Sequence, residues 1–304
     1  MKLSHYTDER GLFGIVRSQS LRATDFLALN DKKEFVYALQ ALWESALEQT
    51  LQKIPADLSE TTKNLDLLRS RMPDFIESLK KQVEESDGYG SLYITCFARG
   101  RNDDEDQRGI LTLWHRYTKD KGYCLQFKTE EIQRIVTYES ERHSYAWIEL
   151  AEVIYGVNRE ALQFKELVDQ LSLRLLRGLY FETKDRRFTS DLERIRPENS
   201  FVQKLVSFCG KHKDPAFVDE REMRIFVCPV NTTEGRTFTG FAMPKDIYRP
   251  RRGPRYVVFG ETVLPGAIAE RILIGPKAEP LSDEKLDALY PRPPVIEKSD
   301  IPIR

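Results

Sequence analysis

Residues 217–227, with the sequence FVDEREMRIFV, constrain the fold of this chain more than any other segment. Met223–Val227 is apolar and β-branched enough to predict a strand. Side chains alternate between the two faces of a strand, so Glu220, Glu222 and Arg224 are expected on one face and the intervening apolar residues on the other. The chain is therefore expected to contain a sheet in which this strand buries one face and presents charge on the other.

The two carboxylates of this segment form a candidate site. Two residues separated by one position on a strand lie roughly 6.5–7 Å apart at their Cα atoms, which brings Glu220 and Glu222 close together. The alternative interpretation is a charged strand edge, with Arg224 in a surface salt bridge that contributes little to stability. The rest of the chain has to indicate what such a pair would act on.

The remaining apolar patterns predict a mixture of strands and helices. Further strands are expected near residues 1–6, 91–98, 122–127, 132–138, 150–155, 236–242, 255–259 and 271–274. Helices are expected at 157–180 and 198–209. This mixture of strands and inserted helices places the chain in the α+β fold class.

The domain organisation follows from the same patterns. Two amphipathic stripes within residues 32–86 predict a helical hairpin inserted between elements of the sheet, and Pro73 is expected to kink or break its second helix. The segment 281–304 is expected to be a proline-rich, extended tail. We find no linker long enough to force a boundary, so we expect a single domain over residues 1–304.

Composition excludes several classes of protein. Forty-seven Lys and Arg balance 48 Asp and Glu, a formal net charge of −1, so no global field favours nucleic acid or a membrane surface. No apolar run approaches the roughly 20 residues of a transmembrane helix, and the first residues lack the apolar segment of a secretory signal. The four cysteines form no CxxC pair. We therefore expect a cytoplasmic globular protein with reduced thiols, no metal site and no membrane partner.

Two short clusters of polar and aromatic residues are further candidates for ligand binding. His5-Tyr6-Thr7 closes the first predicted strand, where a histidine and a tyrosine can hydrogen-bond a ribose and stack on a ring; a lone histidine is otherwise more often structural. Trp114-His115-Arg116-Tyr117 places four large amphipathic side chains in one helical turn, where each can cover a ligand and donate a hydrogen bond. The alternative is a helix whose Trp114 and Tyr117 fill the core and whose Arg116 is solvated.

The densest basic segment is residues 249–255, RPRRGPR. Its prolines and glycine predict a loop that could hold phosphate or dock a target, and the alternative is a solvated loop. A weaker basic cluster, formed by Lys184, Arg186 and Arg187, leaves the same two alternatives. The sequence contains no Walker loop, GxGxxG, HExxH or GxSxG motif, so the chemistries that those motifs support are not predicted.

Taken in order along the chain, these segments resemble a family of bacterial proteins defined by the domain of unknown function 2971. The resemblance spans nearly the whole chain. It is carried by Leu3–Thr7, Gly11–Ile15, Leu21–Phe26, Leu29–Asp31 with Glu34-Phe35, Thr95–Phe97, Leu113–Tyr117 with Gly122, Phe217 with Glu220–Arg224, and Ile272–Pro276.

That family in turn is similar to the ADP-ribosyltransferase fold, which implies a split antiparallel β-core that binds NAD as a substrate. By this resemblance His5 would hold the NAD ribose, and Tyr6 and Tyr117 would frame the nicotinamide. Glu222 would be the catalytic carboxylate and Glu220 would orient or activate an acceptor.

The resemblance also assigns the remaining parts of NAD. Thr7 and Trp114 would belong to the NAD-binding surface, and Arg116 or an arginine of the 249–255 loop could hold the pyrophosphate. Breaking the bond between nicotinamide and ribose develops positive charge on the sugar. A fixed carboxylate that accepts a hydrogen bond from a ribose hydroxyl stabilises that charge more in the transition state than in the ground state.

The function implied by the resemblance is transfer of ADP-ribose to a macromolecular acceptor, which could be a nucleic acid or a protein, or to water as in an NAD glycohydrolase. Such an enzyme could act as a toxin or an anti-phage effector and could have an antitoxin or other regulatory partner. The alternative is a catalytically inactive module of the same fold that senses a nucleotide or docks a partner. A third interpretation, a nucleic-acid-binding protein, rests on the 249–255 loop alone.

Overall fold

The computed structural model describes residues 2–28, 32–54, 65–85, 91–183, 198–230, 243–259, 269–282, 284 and 294–302. Packing of the Cα atoms divides the chain into two compact units. The sheet unit comprises Met1–Asp25, Tyr93–Val153 and Ala216–Arg304, and the helical unit comprises Phe26–Leu92 and Ile154–Pro215. The single domain expected over the whole chain stays a prediction.

Strands form in both units of the described chain. Their bounds are Lys2–Thr7 (β1), Leu21–Asp25 (β2), Tyr93–Arg99 (β3), Tyr123–Lys128 (β4), His143–Glu152 (β5), Ile154–Tyr155 (β6), His212–Lys213 (β7), Glu222–Pro229 (β8), Met243–Pro244 (β9), Tyr256–Phe259 (β10), Arg271–Ile274 (β11) and Val295–Lys298 (β12). The short β6 and β7 pair with each other in the helical unit. All the others join one sheet in the sheet unit.

Several α-helices of the described chain lie between these strands in sequence order. Their bounds are Glu9–Ser18 (α1), Lys32–Lys53 (α2), Leu65–Ser70 (α3), Met72–Glu85 (α4), Asp103–Arg108 (α5), Leu111–Leu113 (α6), Thr129–Arg142 (α7), Leu162–Thr183 (α8) and Glu198–Lys211 (α9). Helix α6 continues directly into a π-helical turn, Trp114–Thr118. A 3₁₀ helix, Pro215–Glu220, leads into β8.

The sheet of the sheet unit is open and mixed. Its order is β12-β11-β4-β1-β3-β8-β5-β9, and β2 joins it by pairing with both β3 and β10. Most neighbours are antiparallel, whereas β11 pairs with β12 and β5 pairs with β9 in parallel. The coarse expectation of mixed strands and helices is therefore confirmed. The finer expectation of a split ADP-ribosyltransferase β-core stays a prediction.

Strand β8 lies between β3 and β5, and its apolar face packs as the sequence pattern predicts. Met223, Ile225 and Val227 belong to a buried cluster with residues of β1, β3, β4, β10 and β11. Helices α1 and α7 add Leu12, Val16, Ile132, Ile135 and Val136 to the same cluster. One face of β8 is therefore part of the main core of the sheet unit.

The strand expected near residues 132–138 is wrong, because helix α7 occupies Thr129–Arg142. The buried positions of this helix are Ile132, Ile135, Val136 and Glu139. Their spacing of three or four residues places them on one helical face, whereas a strand would have buried alternate residues. Three β-branched residues within a short apolar run favoured the strand interpretation, and packing of the helical face against the sheet overrides that preference.

The helical unit contains the predicted hairpin region together with two later helices. Helix α2 packs against α8, and Thr50 donates a hydrogen bond to Ser172 across them at 3.0 Å. The break expected around Pro73 is confirmed, because α3 ends at Ser70 and α4 begins at Met72. Proline is accepted in the first turn of a helix, where its missing N–H has no intrahelical partner. Among the residues that the structure describes, we find no helix with the length and hydropathy that a membrane span requires.

The further strands predicted from the sequence are confirmed where the structure describes their residues, apart from the 132–138 segment. Predicted strands near residues 1–6, 91–98, 122–127, 255–259 and 271–274 match β1, β3, β4, β10 and β11. The strand near 236–242 and the basic cluster at 184–187 lie outside the described residues. Within the tail expected at 281–304, Val295–Lys298 forms β12.

The loop before α6 supplies a test of packing in the sheet unit. Gly109 has a φ of +82°, and a Cβ atom there would lie 2.5 Å from Nε1 of Trp114. Gly109→Ala should therefore lower the free energy of unfolding by about 1–3 kcal/mol, through backbone strain and overpacking together. Chemical denaturation followed by circular dichroism measures this change.

Gly14 in helix α1 is the matched control. A Cβ atom at Gly14 has no heavy atom within 4 Å, and its φ is not in the left-handed region. Gly14→Ala should raise the free energy of unfolding by about 0.4–1 kcal/mol, because alanine restricts the unfolded chain and favours helix. Equal changes in the free energy of unfolding for the two substitutions would contradict the close packing of Trp114 against Gly109.

Candidate functional site

The register of three neighbouring strands places a row of side chains on one face of the sheet. Ser4 of β1 pairs with Ala98 of β3, and Ala98 pairs with Glu222 of β8. Directly opposed residues of antiparallel strands point to the same face. The small side chain of Ala98 lies between the hydroxyl and the carboxylate in this row, which leaves space above the sheet.

All three residues of this row line a pocket of about 170 Å³. It is lined by Ser4, His5, Tyr6, Cys96, Phe97, Ala98, Leu113, Tyr117, Glu220 and Glu222. The volume is smaller than the roughly 300–1,000 Å³ of pockets that hold drug-sized ligands. The lining combines apolar side chains with a few polar groups, and its size suits a single ring rather than a whole dinucleotide.

Glu220 and Glu222 both line the pocket, although they do not share one strand as expected. Glu220 is the last residue of the 3₁₀ helix, Arg221 follows with a φ of 43°, and β8 begins at Glu222. A left-handed conformation is uncommon for a residue with a side chain. The chain therefore turns sharply at Arg221, and this turn brings the two carboxylates to the pocket from different elements.

The turn at Arg221 is held by several contacts. The backbone N–H of Arg221 donates to the carbonyl of Val218 at 3.2 Å, and its own carbonyl accepts from the N–H of Arg99 at 3.2 Å. Its Nη2 donates to Oε2 of Glu105 at 2.6 Å. Burial alone would raise the pKa of Glu105, but hydrogen bonds from the N–H of Arg101 and from Arg221 outweigh it and lower that pKa. A strained backbone conformation persists only where surrounding contacts hold it, and these contacts do so at Arg221.

Glu222 is held by a buried ion pair with Arg224, two residues along the same face of β8. Arg224 donates from Nε to Oε1 of Glu222 at 2.7 Å and from Nη2 to Oε2 at 3.0 Å. The alternative interpretation, a surface salt bridge, is wrong, because the side chain of Arg224 is only 1% exposed. Bidentate pairing fixes the plane of the carboxylate. Glu222 is thus a rigidly oriented carboxylate at the edge of the pocket.

Glu220 is buried and is held from the π-helical turn. Arg116 forms an ion pair with Oε1 of Glu220, and the hydroxyl of Tyr117 donates to Oε2 at 3.3 Å. The guanidinium of Arg116 also lies over the ring of Phe217, 5.0 Å from its centroid. Single π-helical turns occur frequently at functional sites. Here the turn presents adjacent side chains, Arg116 and Tyr117, to one carboxylate.

His5 lines the pocket as a neutral imidazole. Its Nδ1 lies 2.9 Å from the carbonyl oxygen of Cys96, which can only accept, so Nδ1 carries the proton. Burial lowers the pKa of His5, and the hydrogen bond to Cys96 offsets this only in part. In the neutral ring Nε2 is then an acceptor, so His5 can receive a hydrogen bond from a ligand hydroxyl.

Tyr6 and Trp114 support the pocket through packing. The hydroxyl of Tyr6 accepts from the N–H of Ile110 at 2.6 Å, and burial raises the pKa of Tyr6 well above its usual range. Its ring meets Trp114 edge-on, with centroids 5.0 Å apart. Trp114 is fully buried, and its Nε1 donates to the carbonyl of Arg108 at 3.0 Å. Tyr6 also lines the pocket, whereas Trp114 contributes only support from behind Tyr6.

The structure brings together five of the eight predicted site residues in the pocket lining: His5, Tyr6, Tyr117, Glu220 and Glu222. Arg116 reaches the site through Glu220. Trp114 and Thr7 do not line the pocket. No group of three or more potential metal ligands is found in the part of the chain that the structure describes.

Ser4, Cys96 and Leu113 line the pocket without having been assigned a role from the sequence. Ser4 precedes Tyr6 by two positions and so shares its face of β1, which is a signal that strand alternation supplies. The contribution of Cys96 and Leu113 depends on strand register and on the position of α6, which the sequence pattern does not fix.

The buried pair of Glu222 and Arg224 predicts a large effect on stability. Arg224→Met should lower the free energy of unfolding by about 3–5 kcal/mol, because it leaves an unpaired carboxylate in the interior. The double variant Glu222→Leu/Arg224→Met should recover most of that loss, since both charges are removed. Urea titration of the wild type and the two variants measures the difference.

The exposed pair of Arg134 and Glu131 in α7 is the control for that comparison. Arg134→Met should change the free energy of unfolding by less than about 1 kcal/mol, because surface pairs contribute little. A similar loss in Arg134→Met and Arg224→Met would contradict the burial of the Glu222–Arg224 pair.

The lowered pKa of His5 predicts a pH-dependent stability. The folded state binds the His5 proton more weakly than the unfolded state, so this contribution is complete above the unfolded pKa of about 6.5 and is lost as the pH falls toward the folded pKa. As the pH falls from about 7.5 to about 5.5, the free energy of unfolding of the wild type should decrease relative to that of His5→Asn. Urea titrations at each pH measure it, and a difference independent of pH would show that His5 does not titrate this way.

Comparison with known families agrees with the family part of the resemblance. Residues 113–225 match the family model described as Protein of unknown function (DUF2971). The match includes the π-helical turn, Glu220, Glu222 and Arg224, and it does not reach His5. No curated protein and no solved structure gives a significant match. The finding supports the relationship to this family of unknown function over that part of the chain.

Proposed function

We propose that the pocket binds the nicotinamide end of NAD and that the protein transfers ADP-ribose from NAD to a macromolecular acceptor or to water. The observation that carries the proposal is the convergence of His5, Tyr117, Glu220 and Glu222 in one pocket. These residues come from distant parts of the sequence, and the resemblance to ADP-ribosyltransferases assigns a role to each. Two observations therefore support the proposed chemistry: the residues of the pocket and the resemblance to the ADP-ribosyltransferase fold.

The dimensions and lining of the pocket fit a single flat ring. The pocket measures about 170 Å³, and Ala98 and Leu113, which pack in one apolar cluster, supply apolar surface. Tyr117 is 53% exposed and also lines the pocket, so its ring is placed to cover a ligand at the solvent side. The ribose and pyrophosphate of NAD would lie outside this space.

His5 and the two carboxylates would act on the ribose next to the bound ring. Neutral His5 can accept a hydrogen bond from a ribose hydroxyl through Nε2. Glu222, fixed by Arg224, would stabilise the positive charge that develops on the sugar as the bond to nicotinamide breaks. Glu220 would orient the acceptor or take its proton.

Arg116 is the candidate for the pyrophosphate. Its side chain is 48% exposed and contacts Glu220, so the guanidinium of Arg116 lies beside the pocket and can also reach solvent. Arginine binds phosphate oxygens in a bidentate manner. If Arg116 turned to the pyrophosphate, Glu220 would lose this ion pair and carry more negative charge toward the acceptor.

The pairing of both carboxylates with arginine favours the second candidate function, a nucleotide-sensing or partner-binding module without turnover. Glu220 is paired with Arg116, and Glu222 is paired with Arg224. A carboxylate paired with arginine is a weaker base and a weaker stabiliser of positive charge. Such a module would bind NAD or a related nucleotide and release no nicotinamide.

The proposal extends to a role as a toxin or an anti-phage effector, with an antitoxin or other regulatory partner. Only the resemblance supports this extension. The acceptor would be a nucleic acid, a protein or water. NAD would be consumed as a substrate, so the protein needs no resident cofactor for this chemistry.

The decisive experiment is isothermal titration of NAD into the purified protein, with nicotinamide release assayed in the same sample. We expect binding with release in the wild type. Glu222→Gln should reduce release by about 100-fold or more, because a preorganised charge at the reacting centre is lost. Glu139→Gln is the matched control: Glu139 is also buried and paired, with Nζ of Lys245 at 2.7 Å, but does not line the pocket.

The outcomes separate the candidate functions. Binding with release that is lost only in Glu222→Gln supports the transferase or glycohydrolase. Binding without release supports the sensing module. An absence of binding at about 1 mM NAD would reject both NAD-based functions. Equal loss of release in Glu222→Gln and Glu139→Gln would show that stability, rather than chemistry, accounts for the effect.

A further inference from the structure

A second surface of the sheet unit combines aromatic and basic side chains. Tyr248 and Tyr256 form an antiparallel bridge, in which each N–H donates to the other carbonyl, at 2.9 and 3.2 Å. The residues between them, 249–255, form the arginine loop, RPRRGPR. The loop is therefore the tip of a small β-hairpin whose second arm continues into β10.

The two tyrosine rings at the base of the arginine loop are stacked. Their centroids lie 5.3 Å apart and their planes differ by 9°. The guanidinium of Arg22, on the neighbouring β2, lies 4.8 Å from the centroid of Tyr256. Tyr248 is 41% exposed. A large aromatic surface, bordered by arginine, thus faces solvent at the base of a basic loop.

The arginine loop is anchored rather than loosely solvated. Arg255 donates from Nε and Nη2 to Oδ2 of the buried Asp25, at 3.1 and 2.9 Å, and its carbonyl accepts from the N–H of Asp25 at 2.9 Å. Pro250 and Pro254 restrict the backbone, and Gly253 supplies the one left-handed turn of the loop, with a φ of 102°. Preorganisation of this kind lowers the entropic cost of binding a partner.

The charge of the arginine loop differs from that of the chain. The loop contains four arginines and no acidic residue, whereas the whole chain has a formal net charge of −1. Asp25 neutralises Arg255. Arg251 and Arg252 at the tip are exposed. The loop therefore produces a local positive field that the composition of the chain conceals.

The arginine loop and the pocket lie toward opposite ends of β3. Strand β2, which carries Asp25, pairs with β3 at Tyr93, and the pocket lies at Cys96, Phe97 and Ala98. These positions are three to five residues from Tyr93, which is roughly 10–17 Å along a strand. The loop is thus a separate surface, and its function does not depend on NAD binding.

We propose that the arginine loop binds single-stranded nucleic acid. Arg251 and Arg252 would contact phosphates, and Tyr248 would stack on an unpaired base. Acidic proteins would use the arginines but not an exposed stacked pair of rings. In a duplex the base faces are covered by their neighbours, so stacking on Tyr248 requires a single strand. RNA and DNA share this chemistry, and the experiment compares them.

Fluorescence anisotropy of a labelled oligonucleotide of about 12 nucleotides, as single-stranded RNA, single-stranded DNA or duplex DNA, tests the proposal without NAD. We expect both single strands to bind more tightly than the duplex. Arg251→Gln/Arg252→Gln should reduce the salt slope by about 1.4, because each phosphate contact contributes about 0.7 on a single strand. Tyr248→Ala should weaken binding about tenfold, whereas Tyr248→Phe should retain it.

Arg10→Gln/Arg17→Gln on helix α1 removes the same charge elsewhere in the sheet unit and should leave binding unchanged. Equal weakening by both double variants would overturn the proposal, because binding would then follow net charge alone. It would also fail if the duplex bound as tightly as the single strands and Tyr248→Ala had no effect. Displacement of the oligonucleotide by polyglutamate at equal charge concentration would instead identify an acidic protein partner.

Discussion

The ion pair between Glu222 and Arg224 is the constraint on which the sheet unit and its pocket both depend. Strand β8 lies inside the sheet with all eight of its residues buried, so its charged face is largely shielded from bulk water. Bringing two charges into the interior costs several kcal/mol per ion before their attraction and hydrogen bonds offset it. Apolar residues of similar size would stabilise such a strand at least as well. The presence of the pair is therefore better explained by the oriented carboxylate that it holds at the pocket than by stability.

The second carboxylate reaches the pocket by a different route, and Arg221 connects the two. A regular strand from Glu220 to Glu222 would put both carboxylates on one ladder with a fixed separation. The left-handed Arg221 instead releases Glu220 to the 3₁₀ helix and to the partners on the π-helical turn. Glu105 on α5 holds the side chain of Arg221. The relative position of the carboxylates thus depends on the sheet, α5 and the turn after α6 together.

Much of this arrangement could be predicted from alternation and periodicity, and the failures have specific causes. The apolar face of β8 followed from its pattern, because burial on one face of a strand repeats every second residue. The absence of Glu220 from β8, which begins at Glu222, could not be predicted, since a positive φ at an arginine leaves no sign in the sequence. Burial of Arg224 depends on β5 pairing with β8, a long-range contact that a local pattern does not contain. Helix α7 was missed because β-branched residues on one helical face resemble a short strand.

Charge balance in the pocket limits how the proposed chemistry could proceed. The nicotinamide ring of NAD is cationic, and the described groups around the pocket are two carboxylates, each paired with an arginine, and a neutral His5. A site balanced in this way offers a cation little net attraction. Arg224 is 1% exposed and fixed by two hydrogen bonds, whereas Arg116 is half-exposed and bound to one carboxylate oxygen. On the proposed function, Arg116 is therefore the residue whose movement would unmask negative charge, and Glu220 rather than Glu222 would respond first when substrate binds.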